Sequence, residues 1–266
     1  MNLFDGLLGA IGFLTTLPAG KTDRFVQLQK RTYLFPVAGV LIGIILGVIA
    51  TILMVLLPDQ PDIFSVLMII SIYCFTGFNH LDALSDFGDG ITAHGSREKK
   101  VRALKDMALG TGGVAFIVFY LLLLFVLIQS LAAVGIGTRW GFGIGIGISL
   151  LVAEVASKHS MITTACLGQP IHQGMGSVIA DNTGPGQLLV SLLISTLVCT
   201  VAMGMAGLVV LVMAMLVSVV VLVISNRHFG GINGDCIGTS NELARLVALG
   251  TIFTIYAGGL VAWMPW

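Results

Sequence analysis

The sequence predicts an all-α protein, a polytopic bundle of transmembrane helices. Of its 266 residues, 56% are hydrophobic and 10% are charged, whereas about 25% of the residues of a soluble domain are charged. The apolar residues form long runs and do not alternate over short segments, which excludes a transmembrane barrel. The 34 glycines suit helix packing in lipid, where small residues let backbones approach. The whole chain, 1–266, is expected to form a single integral membrane domain.

The apolar runs predict about seven spans and a shallow N-terminal helix. Segment 3–17 is apolar but ends at Pro18. At roughly 15 residues it is shorter than the about 20 that a span needs, so we expect it to lie in the interface. Clear single spans are predicted at 33–57, 62–79, 112–134, 140–167 and 243–263.

Two further segments complete this topology. Segment 187–225 is too long for one span and too apolar for a loop, so it is predicted to form a tight helical hairpin that turns near Gly204 and Gly207. Segment 96–108 is predicted to form a short amphipathic helix, with Lys and Arg on its wet face. The last span is expected to end in an aromatic anchor at 263–266.

The positions of Lys and Arg predict the orientation in the cell membrane. Loops 18–32 and 80–111 hold nine of the thirteen basic residues. Cytoplasmic loops are rich in Lys and Arg, so these loops, and with them 168–186 and 226–242, are expected to face the cytoplasm. Arg139, in an outer turn at about 135–139, is the exception. All the long polar loops then lie on the cytoplasmic side.

Nucleic acid is not expected as a partner. The net charge of the chain is zero, so there is no electrostatic attraction for the phosphate backbone.

Three of the thirteen acidic residues, Asp82, Asp86 and Asp89, lie within eight positions and follow His80. On a helix, positions i, i+4 and i+7 share one face. Carboxylates so placed repel one another unless a cation lies among them, and Mg²⁺ is commonly bound by a few carboxylates together with substrate phosphates. The pattern predicts a magnesium site for transfer at a diphosphate. A solvated acidic helix end is the alternative.

A first Gly-rich turn follows Lys105 and Asp106 and contains Gly110 and Thr111, just before a span. Backbone N–H groups at such a turn would face a phosphate. Taken alone, Asp106 is equally consistent with a charge on a helix surface.

Segment 230–242 is a second Gly-rich loop, which includes Asn233 and Gly234 and leads into the last span. Its glycines and donors fit a cradle for phosphate or ribose, and Asp235 fits a metal-binding or general-base role. The alternative is a plain connecting loop, with Glu242 in the first turn of the following helix, where it would interact with the helix dipole.

Glu154 and Lys158 lie four residues apart inside the fourth span, so they would share one helix face. Two roles remain open: an ion pair in the bundle interior, or contact with a substrate. In the second case Lys158, nearer the cytoplasmic end, is the candidate partner of a phosphate.

Together these motifs resemble the cobalamin synthase family, the adenosylcobinamide-GDP ribazoletransferases. The family signature His-Leu-Asp-Gly-Leu-Ala-Asp-x-x-Asp-Gly matches 80–90 except at Ala83 and Ser85. Its Arg-Asp-Ser-x-x-Gly-Thr-x-Gly element matches 105–113 at the Asp, Gly and Thr positions. Its C-terminal Gly-Gly-x-Thr-Gly-Asp-x-x-Gly-Ala-x-x-Glu element matches 230–242 except at positions 233 and 239.

The resemblance implies a Mg²⁺-dependent enzyme that joins adenosylcobinamide-GDP to α-ribazole or its 5′-phosphate. A ribose hydroxyl attacks the phosphate on the corrinoid side chain, GMP leaves, and adenosylcobalamin or its 5′-phosphate forms. The implied metal ligands are Asp82, Asp86 and Asp89. The candidates for the catalytic base are His80, Asp89 and Asp235. The implied substrate-binding residues are Lys105, Asp106, Gly110, Thr111, Lys158, Asn233, Gly234, Asp235 and Glu242.

Two departures concern charge. Lys105 stands where the family has Arg, and Arg245 stands where it often has a second acid, three residues after the Glu. An Arg-to-Lys change removes the bidentate geometry of a guanidinium. None of the departures removes a carboxylate of the first cluster.

Two other functions are weighed against this one. A CDP-alcohol phosphotransferase also holds metal on an Asp cluster, and 86–93 fit the first half of its motif, but its later Gly and Asp positions fall on Ala103 and Met107. A transporter with Glu154 and Lys158 on its pathway would not explain three Gly- and Asp-containing loops on one side. The many small residues would also permit a homo-oligomer.

Overall fold

The structure is a computed structural model that describes residues 3–19, 22–106, 108–133 and 144–259. These residues form helices joined by turns, and the only β-type pairing among them is an isolated bridge between Pro170 and Ile232. The predicted all-α class is confirmed. The predicted outer turn at 135–139, with Arg139, and the aromatic anchor at 263–266 lie outside the described residues.

The first third of the chain contains a short amphipathic unit and then the first long helices. The elements are α1 (Leu3–Leu14), α2 (Thr22–Gln29), a 3-10 turn (Thr32–Leu34), α3 (Phe35–Leu56) and α4 (Pro61–Thr76). Proline lies in the first turn of both α3 and α4, where its missing N–H has no intrahelical acceptor to lose. The segment predicted as a polar loop, 18–32, therefore contains a helix, α2.

The middle of the chain carries the acidic motif on a separate helix. The elements are α5 (Asn79–Thr92), α6 (Arg97–Ala103), α7 (Thr111–Ala133) and α8 (Ile144–Leu167). The axis of α5 is bent by 98° from that of α4. The bend is made at Gly77, whose φ of 75° lies in the left-handed region that favours glycine. The predicted amphipathic helix at 96–108 is shorter, Arg97–Ala103.

The last third consists of α9 (Met175–Asp181), α10 (Pro185–His228) and α11 (Gly234–Ala257). Helix α10 is two arms joined at Gly204, which has non-helical angles, φ 59° and ψ −136°. A Cβ built on Gly207 would lie 2.6 Å from the carbonyl carbon of Cys199, an approach that a continuous helix does not allow. The predicted helical hairpin is thus confirmed.

The two arms of α10 run antiparallel along α8. Ser191 on the first arm bonds to His159, and Ser218 on the second bonds to the neighbouring Ser160. Residues so far apart in α10 meet the same level of α8 because the chain folds back at Gly204. Helix α8 lies at the centre, and all its side chains from 152 to 165 are buried.

Within the described residues, three helices are long and apolar enough to cross a membrane: α3, α7 and α10. A fourth span results if α4 and α5 form one bent span. The chain is a membrane protein by this composition, but the predicted number of seven is not confirmed and stays a prediction. Helices α8 and α11 have 24 residues each, but charged side chains lower their hydropathy.

The two ends of the bundle differ. At one end, the turn between α3 and α4 lies beside the end of α7, where Gln129 donates a hydrogen bond to Asp62. At the other end, the start of α7 meets α5, and the start of α9 meets the start of α11. The Gly-rich motifs gather at this second end, as described below.

Candidate active site

Helix α5 separates its acidic face from its apolar face. Leu81, Leu84 and Phe87 are buried, whereas Asp82 is exposed and Asp86 and Asp89 are half-buried. This is the arrangement that a spacing of i, i+4 and i+7 predicts for a helix. The sequence prediction of one acidic face is therefore confirmed.

The carboxylates of this face are close enough to affect one another. We take α5 to lie outside the membrane-spanning segments because it turns away from α4 and carries three acids. Burial raises the pKa of the Asp86 carboxyl to about 7, and neighbouring carboxylates add to the shift. These are, in order of effect, Asp235, Asp82 and Asp89. Asp235, from the second Gly-rich loop, thus belongs to the same cluster.

Asp89 is occupied with the N-terminus of α7. Its two carboxylate oxygens accept hydrogen bonds of 2.8 Å from the backbone N–H groups of Gly110 and Gly113. The first N–H groups of a helix have no intrahelical acceptor, and a negative charge is favourable there. Asp89 therefore caps α7 from another helix, so the Gly-rich turn binds a carboxylate of the protein itself.

The glycines of this turn are required by the closeness of α5. A Cβ on Gly113 would lie 2.6 Å from Asp89 Oδ2 and 2.9 Å from the carbonyl oxygen of Ser85. Thr111 begins α7 and is exposed. Lys105 and Asp106 are exposed beside the turn, where Asp106 accepts a local hydrogen bond from the Ala108 N–H at 3.0 Å.

Two loops pair at the same end of the bundle. The Ile171 N–H donates to the Ile232 carbonyl at 2.9 Å, and the Ile232 N–H donates to the Gln169 carbonyl at 2.8 Å. Next to this pairing, Gly176 at the start of α9 packs directly on the backbone of Gly234 at the start of α11. The segments predicted as loops 168–186 and 226–242 are therefore in contact.

Helix α11 begins at Gly234, so the predicted start at 243 is wrong. Asn233 is the N-cap, and its Oδ1 accepts from the Cys236 N–H at 3.1 Å. Asn233 also donates to Asp235 Oδ2 at 2.5 Å. Asn is a preferred N-cap, so Asn233 followed by an acidic residue in the first turn could have indicated from the sequence that a helix begins here. Glu242 lies in the third turn, and its suggested interaction with the helix start is excluded.

A cavity of about 380 Å³ opens beside the acidic cluster, between the ends of six helices. Its polar side chains are Asn79, His80 and Asp235. The remaining lining residues are apolar or glycine: Gly12, Phe13, Phe35, Ala83, Met161, Met175, Gly176, Ile179, Gly234, Ile237 and Gly238. The cavity thus joins an apolar interior to a polar edge formed by α5 and α11.

A buried ion network lies deeper in the bundle. Glu154 bonds to Lys158 at 2.5 Å and to Arg245 at 2.6 Å, and Arg245 bonds to Glu242 at 2.5 Å. All four side chains are at most 1% exposed. Buried ions need partners because an unpaired charge in a low-dielectric interior is costly. Two acids and two bases give the network no net charge.

Hydroxyl groups and an amide complete this network. Tyr73 and Tyr120 donate to Glu242 Oε2 at 2.9 and 2.6 Å, and the Asn241 amide donates to Glu242 Oε1 at 2.8 Å. The same amide lies 3.3 Å from His80 Nδ1. The network reaches the cavity through His80.

The structure brings most of the predicted site residues together. His80, Asp82, Asp86, Asp89 and Asp235 form one cluster, to which the second loop adds Asn233 and Gly234 and the first adds Gly110 and Thr111. Lys158 and Glu242 lie instead inside the ion network, which is the structural role left open for Glu154 and Lys158. Their contact with a substrate stays a prediction.

Sequence reasoning missed several polar groups. Tyr73, Tyr120 and Asn241 come from apolar or loop-like segments and carry no pattern that marks them as partners of Glu242. His172 lies near enough to Asp235 to act on it electrostatically. Its Nε2 is buried without a hydrogen-bond partner among the described residues.

The carboxylates at this end of the bundle are suitable ligands for Mg²⁺. Asp82, Asp86 and Asp235 offer carboxylate oxygens, the ligands that Mg²⁺ prefers, and their repulsion would be relieved by a cation. Within the described residues, no three His, Cys, Asp or Glu side chains are arranged to hold a metal alone. Mg²⁺ is usually bound by one or two carboxylates plus substrate phosphates, so a substrate diphosphate would supply the remaining ligands.

Comparison with known proteins gives consistent matches over nearly the whole chain. The sequence model of a family described as cobalamin-5-phosphate synthase matches residues 6–253. A protein of Methanococcoides burtonii, named adenosylcobinamide-GDP ribazoletransferase, is 47% identical over 90% of this chain and 88% of its own length. Relatives of the same name in Methanocella arvoryzae and Methanosarcina barkeri are 39% and 38% identical.

These last two relatives are also covered over most of their length. The Methanocella arvoryzae match covers 99% of this chain and 98% of the relative, and the Methanosarcina barkeri match covers 90% and 88%. No solved structure matches the chain.

Proposed function

We propose, because the chain belongs to the cobalamin-5-phosphate synthase family, that it is an adenosylcobinamide-GDP ribazoletransferase acting late in cobalamin synthesis. The observation that carries this proposal is the family match over 6–253, which includes all three Gly- and Asp-containing motifs. Relatives covered over 88% to 98% of their length bear that enzyme name. Nothing in these matches favours a CDP-alcohol phosphotransferase or a transporter.

The proposed reaction is a substitution at phosphorus. The oxygen of a ribose hydroxyl of α-ribazole, or of its 5′-phosphate, forms a bond to the corrinoid-linked phosphorus of adenosylcobinamide-GDP. The bond from this phosphorus to the bridging oxygen breaks, and GMP leaves with the electron pair. The hydroxyl proton passes to a protein base. Asp235 is the best-placed candidate, because it lines the cavity and is half-buried beside the other carboxylates.

Each polar group of the cluster has a separate proposed task. Asp82 and Asp86 would hold Mg²⁺, which when bound neutralises diphosphate charge and stabilises the leaving GMP. Asp89 keeps the start of α7 against α5 through its two backbone contacts. His80, which lines the cavity, would donate a hydrogen bond to a phosphate oxygen. Lys105, exposed beside the turn, would attract the diphosphate.

The proposed location is the cell membrane, with the active site facing the cytoplasm. The basic residues of α6 lie in the polar segment 80–111, which also carries the acidic cluster, and the positive-inside rule assigns this segment to the cytoplasmic side. Adenosylcobinamide-GDP and α-ribazole 5′-phosphate carry phosphate charges, so they suit a site that opens to water.

The decisive test is GMP release by the purified full-length protein in detergent. Adenosylcobinamide-GDP, α-ribazole 5′-phosphate and Mg²⁺ are supplied, and GMP and the cobalamin product are measured together. We expect equal amounts of both products, none with EDTA, and a loss of roughly 100-fold or more in Asp82→Asn. The matched control is Asp59→Asn, an exposed acid at the other end of the bundle, which should keep full activity.

The outcomes separate the enzyme from its metal. Folded protein that releases no GMP overturns the transferase. Product formation that is unchanged in EDTA and in Asp82→Asn keeps the transferase but removes the magnesium site from this cluster.

A further inference from the structure

We infer that the cavity beside the acidic cluster binds the flat aromatic base of the nucleoside acceptor, and thereby selects which nucleosides are joined to the corrinoid. The inference rests on the proposed function, since it assigns one of its substrates to one place. This cavity has a volume of about 380 Å³ and lies between α1, α3, α5, α8, α9 and α11.

The lining has the chemistry of a site for an apolar ring. Phe13 and Phe35 form one wall, with ring centroids 5.8 Å apart and planes inclined by 28°. Met161 and Met175 contribute two thioethers, which pack well against aromatic edges and adapt to ring shape. Small-molecule sites are commonly lined in this way, with few polar groups to fix orientation.

The polar groups lie on one edge, where the ribose would be needed. Asp235 both lines the cavity and acts on Asp86, and His80 lies on the same edge. A base inserted into the apolar part leaves its ribose beside Asp235. This placement puts the attacking hydroxyl at the candidate base and next to the carboxylates proposed to hold the diphosphate.

The size and polarity of the cavity exclude the corrin ring and the guanine base from it. The volume of about 380 Å³ is at the small end of the range for ligand sites, about 300–1,000 Å³, and a corrin ring with its side chains is several times larger than a nucleoside. Guanine presents donors and acceptors along most of its edge, and these would face Phe and Met without partners, which is costly. A benzimidazole-type base has a single polar ring nitrogen free, so it loses little.

The test uses two substitutions in the wall and a control in the lipid-facing surface. Phe13→Leu removes a half-buried ring, and Ile179→Phe introduces a larger side chain that reduces the volume of the cavity. Ile70→Phe, at a side chain that is 51% exposed, is the matched control. KM for the nucleoside and KM for adenosylcobinamide-GDP are measured separately, and binding of α-ribazole to the purified protein is measured by calorimetry.

We expect each wall variant to raise the nucleoside KM about tenfold and to weaken α-ribazole binding equally, while the corrinoid KM and kcat stay within about twofold. The control should change none of these. A wall variant that raises the corrinoid KM and leaves the nucleoside KM unchanged overturns the inference. So does a wild-type protein that does not bind α-ribazole. Protein that binds α-ribazole through this wall but makes no product upholds the cavity and rejects the proposed reaction.

Discussion

Arg245 shows how a charged side chain is accommodated inside a membrane protein. Its guanidinium lies between Glu154 and Glu242. Lys158 alone would leave one of the two carboxylates without a counter-ion. The planar guanidinium, which presents several donors in a fixed geometry, also contacts Tyr120 at 3.5 Å. The side chain therefore joins three helices.

We predict that Arg245→Met destabilises the protein by about 3–5 kcal/mol, because it leaves a buried carboxylate without a counter-ion. The measurement is the thermal unfolding midpoint in detergent. Arg102→Met, at an exposed residue of α6, is the control and should have little effect.

A double variant tests the origin of that loss. Arg245→Met with Glu242→Gln removes one charge of each sign and is expected to cost less than Arg245→Met alone. A double variant as unstable as the sum of its parts would contradict a coupled network.

Asp89 is the residue for which capping and chemistry can be separated. Because it accepts two backbone N–H bonds, Asp89→Ala is predicted to lower stability by about 1–3 kcal/mol. Asp82→Ala, at an exposed carboxylate, should leave stability nearly unchanged while it abolishes activity. Unfolding curves of the two purified variants make the comparison, and equal curves would remove the capping role.

The spacing of residues in the sequence predicted contacts between side chains of one helix, but it did not predict contacts between side chains of different helices. Glu154 and Lys158 are four residues apart, so their contact follows from helix geometry. The partners of Asp89 lie 21 and 24 residues away, and Arg245 lies 91 residues from Glu154. Only the tertiary packing of the helices brings these groups together.

Among the elements, the crossing of α5 and α7 depends on glycine. We predict that Gly113→Ala destabilises the protein by about 1–3 kcal/mol, because the added methyl group would meet Asp89 and the Ser85 carbonyl. The contact also positions α5, so activity should fall with stability. Thermal unfolding and GMP release are measured on the same preparation.

Gly186→Ala is the matched control. It lies in the first turn of α10, with no atom within 4 Å of the added Cβ, so we expect no loss or a gain of up to about 1 kcal/mol. Equal destabilisation by both substitutions would show that close packing at Gly113 is not the cause.

The elements that sequence predicted well are those with long apolar runs. The spans at 33–57, 62–79 and 112–134 correspond to α3, α4 and α7 within a few residues. Helices α2 and α9, with eight and seven residues, were missed because they lie in segments rich in polar residues or glycine, which resemble loops. The start of α11 was placed nine residues late because Gly, Asn and Asp there resemble a loop.

The positions of the loops at the two ends of the bundle predict which loops lie on the same side of the membrane. Ser96, between α5 and α6, and Asn182, after α9, are exposed at the end that carries the acidic cluster, whereas Asp59 is exposed at the other end. Cysteines introduced at the first two positions should react with a membrane-impermeant maleimide only after the cells are opened. A cysteine at position 59 should react in intact cells.

The unsubstituted chain, with Cys74 exposed on α4, is the control for background labelling. Labelling of position 96 in intact cells would reverse the orientation and place the proposed reaction outside the cytoplasm. The same experiment bears on the number of spans, because an odd number of crossings must separate positions 59 and 96.

The buried ion network also has a consequence for biogenesis. Helix α8 leaves the ribosome well before α11, so Glu154 and Lys158 have only each other until Arg245 is made. A single charge at the centre of an inserting helix costs about 2.5–3.5 kcal/mol. We therefore expect α8 to remain beside the translocon until α11 arrives, and then to enter lipid with it. Photocross-links from α8 to the translocon should persist while α11 is not yet made or is still inside the ribosome, and should disappear once the chain is released.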